Sequence, residues 1–90
     1  MSEPIDHVAI FIPNPGEHSR VRLALDIAIE QVQQEPGCLR YEITEDTEDR
    51  IVLTERWESQ EALDQHGKGI ALQDLRESLS GLLAEPIRKG

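Results

Sequence analysis

The side chains best suited to chemistry in this chain fall within one segment, residues 35–66. The segment contains the only tryptophan, the only tyrosine and the only cysteine of the protein, which are Trp57, Tyr41 and Cys38. It also contains His66, nine residues after the tryptophan. Because large side chains are rare in this sequence, their concentration on neighbouring elements predicts a functional site there.

Two residues of the segment could carry a proton. His66 titrates near neutral pH, so it could act as a general base or bond a substrate, or it could cap the end of a helix. Glu55 falls on an otherwise apolar strand face, where burial would raise the pKa of a carboxyl group and make it a usable base. The alternative for Glu55 is a structural hydrogen bond to Tyr41 or to an arginine, either within the subunit or across the dimer.

The remaining candidates are binding or structural residues. Trp57 is expected to pack in the core or to form a cleft wall, with its indole N–H directed into the cleft. Cys38 has no base beside it in the sequence, so it is expected to be inert. His7 lies on the first strand and faces either the cleft or a sheet interface. Residues 45–49 are acidic but lack the spacing of a calcium loop, and no zinc spacing is present, so no metal site is predicted.

Length and charge limit the possible functions. Ninety residues form one domain, residues 1–90, and a fold this small is marginal without further burial. A net charge of −9 argues against nucleic acid and anionic membranes as partners. No signal segment or apolar run of spanning length is present, and a single cysteine is typical of a reducing compartment. We therefore expect a cytoplasmic location.

The periodicity of the apolar residues predicts six or seven elements. Residues 5–12 read as a strand, followed by a helix that begins at Asn14 as N-cap, with Glu17 completing a capping box, and ends at residues 35–37. Residues 38–45 and 51–57 alternate as a hairpin. Ser59 caps a short helix, a longer helix is expected over 70–84, and residues 86–90 form either a last strand or a tail.

The hairpin register follows from a turn centred near residues 47–48. That turn places Tyr41 opposite Glu55 and Leu39 opposite Trp57. One face of the hairpin then carries these four side chains with Ile43 and Leu53. A slip of one residue would invert the two faces.

This order of elements predicts an α+β, ferredoxin-like βαββαβ fold, an antiparallel sheet with helices on one face. The first strand is apolar on both sides, so the second face of the sheet also needs cover. We expect a second copy to supply it, packed sheet to sheet in a homodimer.

The sequence resembles the antibiotic biosynthesis monooxygenase-like family of dimeric α/β barrels. The resemblance lies in residues 35–38 (Glu-Pro-Gly-Cys), in Tyr41, in Glu55-x-Trp57 and in Ala62-Leu63-x-x-His66. It implies a homodimer with a small hydrophobic cleft in each subunit. It also implies oxidation of a phenol or quinol without metal, haem or flavin. Haem-degrading relatives use an asparagine on the first strand, which this chain lacks, so haem degradation is disfavoured.

The resulting expectation is a cofactor-independent monooxygenase acting on a small aromatic or quinol-like molecule. The alternatives are a non-catalytic module that binds a small hydrophobic or aromatic ligand, or an isomerase or lyase, on the same dimeric fold. The expected catalytic residues are His66 and Glu55. The expected substrate-binding residues are Trp57, Tyr41 and His7.

Overall fold

A computed structural model describes residues 3–90 of the chain. The elements follow one another as β1 (Ile5–Phe11), α1 (His18–Val32), β2 (Cys38–Asp46), β3 (Ile51–Trp57), α2 (Gln60–Gly67), α3 (Ile70–Ser78) and β4 (Arg88–Lys89). The four strands form one antiparallel sheet in the order β2-β3-β1-β4. This is the predicted ferredoxin-like α+β fold. Within residues 3–90, no helix combines the length and apolarity needed to cross a membrane.

Alternation along the strands separates an inner face of the sheet, covered by the helices, from an outer face. Ala9 and Phe11 of β1 and Leu53 of β3 are buried on the inner face. Helix α1 packs its apolar stripe there, because residues at helical spacing form one side of a helix. The buried residues of that stripe are Val21, Ala24, Leu25, Ala28 and Val32.

The hairpin register is the predicted one at its centre and differs at its end. Tyr41 lies opposite Glu55, as expected. Trp57 lies opposite Cys38 rather than Leu39, because the register shifts between Cys38 and Arg40. A β-bulge at this place leaves one residue unpaired and turns it away from its expected face. Leu39 is consequently 54% exposed, and its predicted place on the inner face was wrong.

The predicted start of α1 was also wrong. The helix begins at His18, and Glu17 at the N-cap position makes no side-chain capping bond. Residues 14–17 instead form a turn, in which the Glu17 N–H donates to the Asn14 carbonyl oxygen at 2.9 Å. Gly16 has φ of +83°, a left-handed conformation that cannot continue into a right-handed helix. The Asn14 side chain donates to the Gly81 carbonyl oxygen at 3.1 Å.

The last helix is shorter than its leucine pattern indicated. Helix α3 ends at Ser78, and Gly81 has φ of +78°. The chain then runs beside the end of β1, where the Ala84 N–H donates to the Ile12 carbonyl oxygen at 2.8 Å. Leu82 and Leu83 still pack against the core from this segment, so their helical spacing was misleading. Residues 88–89 form the short strand β4 against β1, one of the two predicted alternatives.

Candidate functional site

A cleft of about 610 Å³ lies between the inner face of the sheet and helices α2 and α3. Tyr41, Leu53 and Glu55 line it from the sheet, and Leu63, His66 and Leu75 line it from the helices. These residues give the cleft a largely apolar inner surface, but half of its lining residues are polar or charged, Lys68, Arg76 and Lys89 among them, and these could orient a ligand.

Glu55 is held by its neighbour two residues along β3. Residues i and i+2 of a strand point to the same face, so Glu55 and Trp57 both face inward. The Trp57 indole N–H donates to Glu55 Oε1 at 3.0 Å. Glu55 is only 4% exposed, and the hydrogen bond offsets part of the cost of burying its carboxylate. Within residues 3–90 the hydrogen-bond partner of Glu55 is Trp57, neither Tyr41 nor an arginine, and an arginine from across a dimer stays a prediction.

Helix α2 brings His66 to the same place. Ser59 caps this helix as predicted, with its hydroxyl oxygen accepting from the Ala62 N–H at 3.1 Å. His66 lies near the end of the helix and is 5% exposed. Its Nδ1 lies 2.8 Å from Glu35 Oε1, and its Nε2 lies 3.9 Å from Glu55 Oε1. The first distance is a hydrogen bond and the second is too long for one.

The position of the hydrogen on the neutral His66 ring follows from these distances. An ionised carboxylate can only accept hydrogen bonds, so the Glu35 carboxylate is satisfied when His66 Nδ1 carries a hydrogen. In neutral His66 the lone pair then resides on Nε2, the nitrogen nearer to Glu55. The imidazole therefore presents a basic nitrogen on the side of the buried carboxylate.

Two aromatic rings hold the imidazole in this position. Trp57 stacks on His66 with ring centroids 4.6 Å apart and planes at 26°. Tyr41 meets His66 edge to face, with centroids 5.4 Å apart and planes at 69°. Such contacts contribute about 0.5–1.5 kcal/mol beyond the area that the rings bury. The only tryptophan and tyrosine thus both contact the imidazole.

Burial and nearby carboxylates act on the two weak acids of the site. Burial raises the pKa of Tyr41 above its usual range, and the charges of Glu55 and Glu35 raise it further. The pKa of the Cys38 thiol is likewise raised, by burial first and by the Glu35 charge second. A thiol with a raised pKa contains little thiolate at neutral pH, as expected for an inert cysteine.

His7 lies beside this cluster, on the strand next to Glu55. It is half-buried on β1 and pairs with Glu55 in the β1–β3 register, so the two side chains share the inner face. His7 lines the cleft rather than the outer face of the sheet. Four of the residues that the sequence singled out, His66, Glu55, Tyr41 and His7, therefore line one cleft. Trp57 does not line it: its ring is fully buried, and its indole N–H, predicted to be directed into the cleft, donates to Glu55 instead.

Glu35 is a member of the site that the sequence patterns did not indicate. Glu35 was read as part of the segment that ends α1, and its partner His66 is 31 residues away along the chain. No local pattern connects two such positions. The one signal that could have indicated a role for Glu35 was its position directly before Pro36-Gly37, the turn that leads from α1 to the start of β2. Across residues 3–90, no group of three or more His, Cys, Asp or Glu residues is arranged to hold a metal ion.

Known proteins share this sequence and fold. Residues 5–78 match the family model described as antibiotic biosynthesis monooxygenase. Rv0793 of Mycobacterium tuberculosis, provisionally named a monooxygenase, is 33% identical over 88 residues, which is 97% of this chain and 87% of that protein.

Solved structures agree with the fold. The structure of Rv0793 superimposes with a TM-score of 0.89 at 31% identity, covering 98% of this chain and 91% of that one. A Nitrosomonas europaea protein, provisionally named an antibiotic biosynthesis monooxygenase, also has a TM-score of 0.89. It is 20% identical, covers 100% of this chain and 88% of that one, and supports the fold alone. With the family model matched from the first strand to the last helix, the chain belongs to the antibiotic biosynthesis monooxygenase family.

Proposed function

We propose that this protein is a monooxygenase that oxidises a small aromatic or quinol-like molecule in the cleft, without metal, haem or flavin. One observation carries the proposal: His66 is buried at the cleft wall with Nδ1 bonded to Glu35 and Nε2 directed toward Glu55. A fixed imidazole with a free nitrogen in an apolar cleft is suited to remove a proton from a phenol. Membership of the family and the resemblance to Rv0793 support the same reaction class.

His66 is the proposed base, and its Nε2 accepts the hydroxyl proton of the substrate. The charge that this proton creates on the imidazole is stabilised from both sides, because Glu35 accepts from Nδ1 and Glu55 lies 3.9 Å from Nε2. Glu35 acts as a positioning residue, since it sets which nitrogen is free. Trp57 holds the ring by stacking.

Glu55 is the second proposed catalytic group. Its Oε1 already accepts from Trp57, so its remaining lone pairs can accept a second substrate hydroxyl. Tyr41 on β2 and His7 on β1 line the sheet side of the cleft, one on each side of Glu55 on β3, which gives the substrate ring an aromatic wall and a further polar contact. A quinol has two hydroxyl groups, so one could meet His66 while the other meets Glu55.

The reaction needs no reductant besides the substrate. A quinol that loses its proton becomes electron-rich and can transfer electrons to dioxygen. Hydroquinone and one dioxygen give hydroxyquinone and one water: one oxygen atom enters the ring, and the other leaves as water with two hydrogens of the quinol. The quinol supplies all the electrons that reduce dioxygen. The protein binds the ring, removes the proton and keeps water away from the intermediate.

Oxygen uptake with a panel of substituted hydroquinones tests the proposal. We expect His66→Ala to lower kcat by about 10²–10⁴-fold, the range for loss of a general base. His18→Ala is the matched control, since it removes an imidazole from the surface, and it should leave kcat unchanged. Circular dichroism should show both variants folded, and His66→Gln would replace His66→Ala if the latter does not fold.

Two outcomes would overturn the proposal. Turnover that proceeds equally well without dioxygen would identify an isomerase or lyase. A ligand that binds tightly and is recovered unchanged from every aerobic assay would identify a binding module.

We also propose that the protein is a homodimer packed through the outer face of the sheet. Val8 and Ile10 of β1 and Val52 of β3 are only half-buried on that face in a single chain. A second copy would remove their apolar surface from water, at about 25 cal/mol per Å². Analytical ultracentrifugation should give twice the mass of one chain, and Ile10→Asp should halve it. A wild-type monomer at micromolar concentration would contradict this.

A further inference from the structure

The cationic side chains of this protein fall into two groups according to whether they have a carboxylate partner. The chain contains nine lysines and arginines and eighteen acidic residues. Six arginines form ion pairs within residues 3–90. These are Arg20 with Glu17, Arg22 with Asp26 and Asp46, Arg40 with Glu42, Arg50 with Glu45, Arg56 with Asp6, and Arg88 with Glu85.

The other three cations, Lys68, Arg76 and Lys89, have no ion pair to any carboxylate of residues 3–90, and all three line the cleft. They come from three different elements: Lys68 follows α2, Arg76 lies in α3 and Lys89 lies in β4. Lys89 pairs with Ala9 in the sheet register, and Ala9 belongs to the inner face. Partners directly opposite in an antiparallel sheet share a face, so the Lys89 side chain belongs on the cleft side.

The charge of the cleft is opposite in sign to that of the chain. Arg88 also lines the cleft, but Glu85 offsets its charge, which leaves the three unpaired cations against two acidic lining residues, Glu55 and Asp64. The hydrogen bonds that these acids accept, from the Trp57 indole to Glu55 and from the Gln60 side-chain amide to Asp64 at 2.9 Å, come from neutral groups, so three cations less two acids leave the cleft a formal excess of one positive charge. The formal net charge of the whole protein is −9. An excess of cations at one cleft of so acidic a chain indicates a ligand that supplies the missing negative charge.

We propose that the ligand of the cleft is a small aromatic molecule carrying one oxyanion group, a carboxylate or a phosphate. The oxyanion lies at the mouth between Lys68, Arg76 and Lys89. The Arg76 guanidinium can bind two oxygens of such a group at once, whereas the lysines act as point charges. The ring extends inward along Tyr41 toward His66. As a statement about the substrate class, this inference rests on the proposed monooxygenase function. The preference of the cleft for an anion can nevertheless be measured without turnover.

Binding of three redox-inert probes tests the inference on the full-length protein. Benzoate carries a carboxylate, phenyl phosphate carries a phosphate, and benzyl alcohol is neutral with a similar ring. Titration calorimetry or NMR should show one of the anions binding about tenfold more tightly than benzyl alcohol. The better anion identifies the oxyanion as a carboxylate or a phosphate. Added salt should weaken anion binding and leave benzyl alcohol unaffected, because exposed charges are screened.

Charge-removing variants locate the interaction. Lys68→Gln, Arg76→Gln and Lys89→Gln should each weaken anion binding about threefold to fivefold, a modest factor because the charges are solvent-exposed. Arg20→Gln removes the same charge from α1 and is the control, which should bind the anion as the wild type does. Equal affinity for the anions and benzyl alcohol would overturn the inference, and so would an equal loss in Arg20→Gln.

The two proposals fail separately. Anion-selective binding without any oxygen uptake, even with carboxylated or phosphorylated hydroquinones, would overturn the reaction and support the ligand class. Oxygen uptake with a neutral hydroquinone, and no preference for its carboxylated form, would overturn the ligand class and support the reaction.

Discussion

Within residues 3–90, two histidines are hydrogen-bonded to a carboxylate, and the two pairs differ in their surroundings. His66 Nδ1 lies 2.8 Å from Glu35, and the two side chains are 4% and 22% exposed. His18 Nε2 lies 2.5 Å from Asp46, and these side chains are 22% and 27% exposed. The first pair joins α2 to the turn after α1, and the second joins α1 to the end of β2. Both cross between elements, so both are tertiary contacts.

The difference lies in what else contacts each pair. Asp46 also bonds Arg22, so its carboxylate has a second partner in a setting open to water. His66 stacks on Trp57 and has Glu55 beside its free nitrogen. A histidine bonded to a carboxylate is therefore not by itself a sign of a site. The aromatic enclosure and the cleft make His66 a candidate base.

Removing the neighbour of each histidine should produce the largest difference. Trp57→Ala should cost about 3–5 kcal/mol in the free energy of unfolding, because it leaves a cavity in the core. Arg22→Ala should cost less than about 1 kcal/mol, as expected for exposed ion pairs. Urea unfolding followed by circular dichroism measures both. Similar costs for the two variants would contradict the comparison, and Trp57→Phe serves if Trp57→Ala does not fold.

Removing the carboxylates should give a smaller difference. Glu35→Ala leaves a buried imidazole N–H without its acceptor, so we expect a loss of about 1–3 kcal/mol in the free energy of unfolding. Asp46→Ala should lose less than about 1 kcal/mol.

Nitrogen-15 NMR of the imidazoles supplies a second measurement, which a purely structural role would not affect. Neutral His66 should carry its hydrogen on Nδ1 in the wild type and populate both tautomers in Glu35→Ala. A mixture of tautomers already present in the wild type would contradict the role of Glu35.

Titration of Tyr41, which contacts His66, tests whether water is excluded from the buried pair of His66 and Glu35. Its pKa is raised by burial and by Glu55, so it should ionise above the usual value of about 10. Because the unfolded chain loses this proton first, stability should be complete below pH about 10 and fall as pH rises further. The absorbance of tyrosinate reports Tyr41 alone, since it is the only tyrosine. Ionisation at the ordinary pKa would show that the site is wet, and Tyr41→Phe is the control.

The smallest expected effect is the loss of stability at low pH when Asp46 becomes protonated. Hydrogen bonds from His18 and Arg22 lower the pKa of Asp46. A lowered pKa means that this contribution is present above the ordinary value of about 3.9 and is lost as pH falls below it. It should amount to less than about 1 kcal/mol and shrink in high salt. Unfolding of wild type and Asp46→Asn as a function of pH measures it, and identical acid profiles would contradict it.

Most of the fold followed from local patterns, because strand alternation, a short turn and the Ser59 cap act over a few residues. The central register of Tyr41 with Glu55 followed from the turn position. The failures involved interactions that local patterns do not contain. A β-bulge turned Leu39 away from its expected face. A glycine in the left-handed conformation, Gly16, placed the start of α1 at His18 rather than directly after Asn14. Helix α3 ended at Ser78, although the leucine pattern continued beyond it, because the chain there returns to pair with the end of β1.

The sequence predicted which residues belong to the site, but not which hydrogen bonds join them. Rare residue types pointed to His66, Glu55, Trp57 and Tyr41, and these lie together. Their hydrogen bonds were not predictable, because Glu55 had several partners within reach and Glu35 is remote from His66 in sequence. Likewise, the three unpaired cations are separate in the sequence and are brought together only by the packing of α2, α3 and β4 around one opening.

The stacking of Trp57 on His66 has a practical consequence. As the sole indole of the protein, Trp57 accounts for all of its long-wavelength fluorescence. A protonated imidazole quenches indole emission more strongly than a neutral one, and the ring centroids are 4.6 Å apart. The emission intensity of the native protein therefore reports the protonation state of His66 directly, without any attached dye.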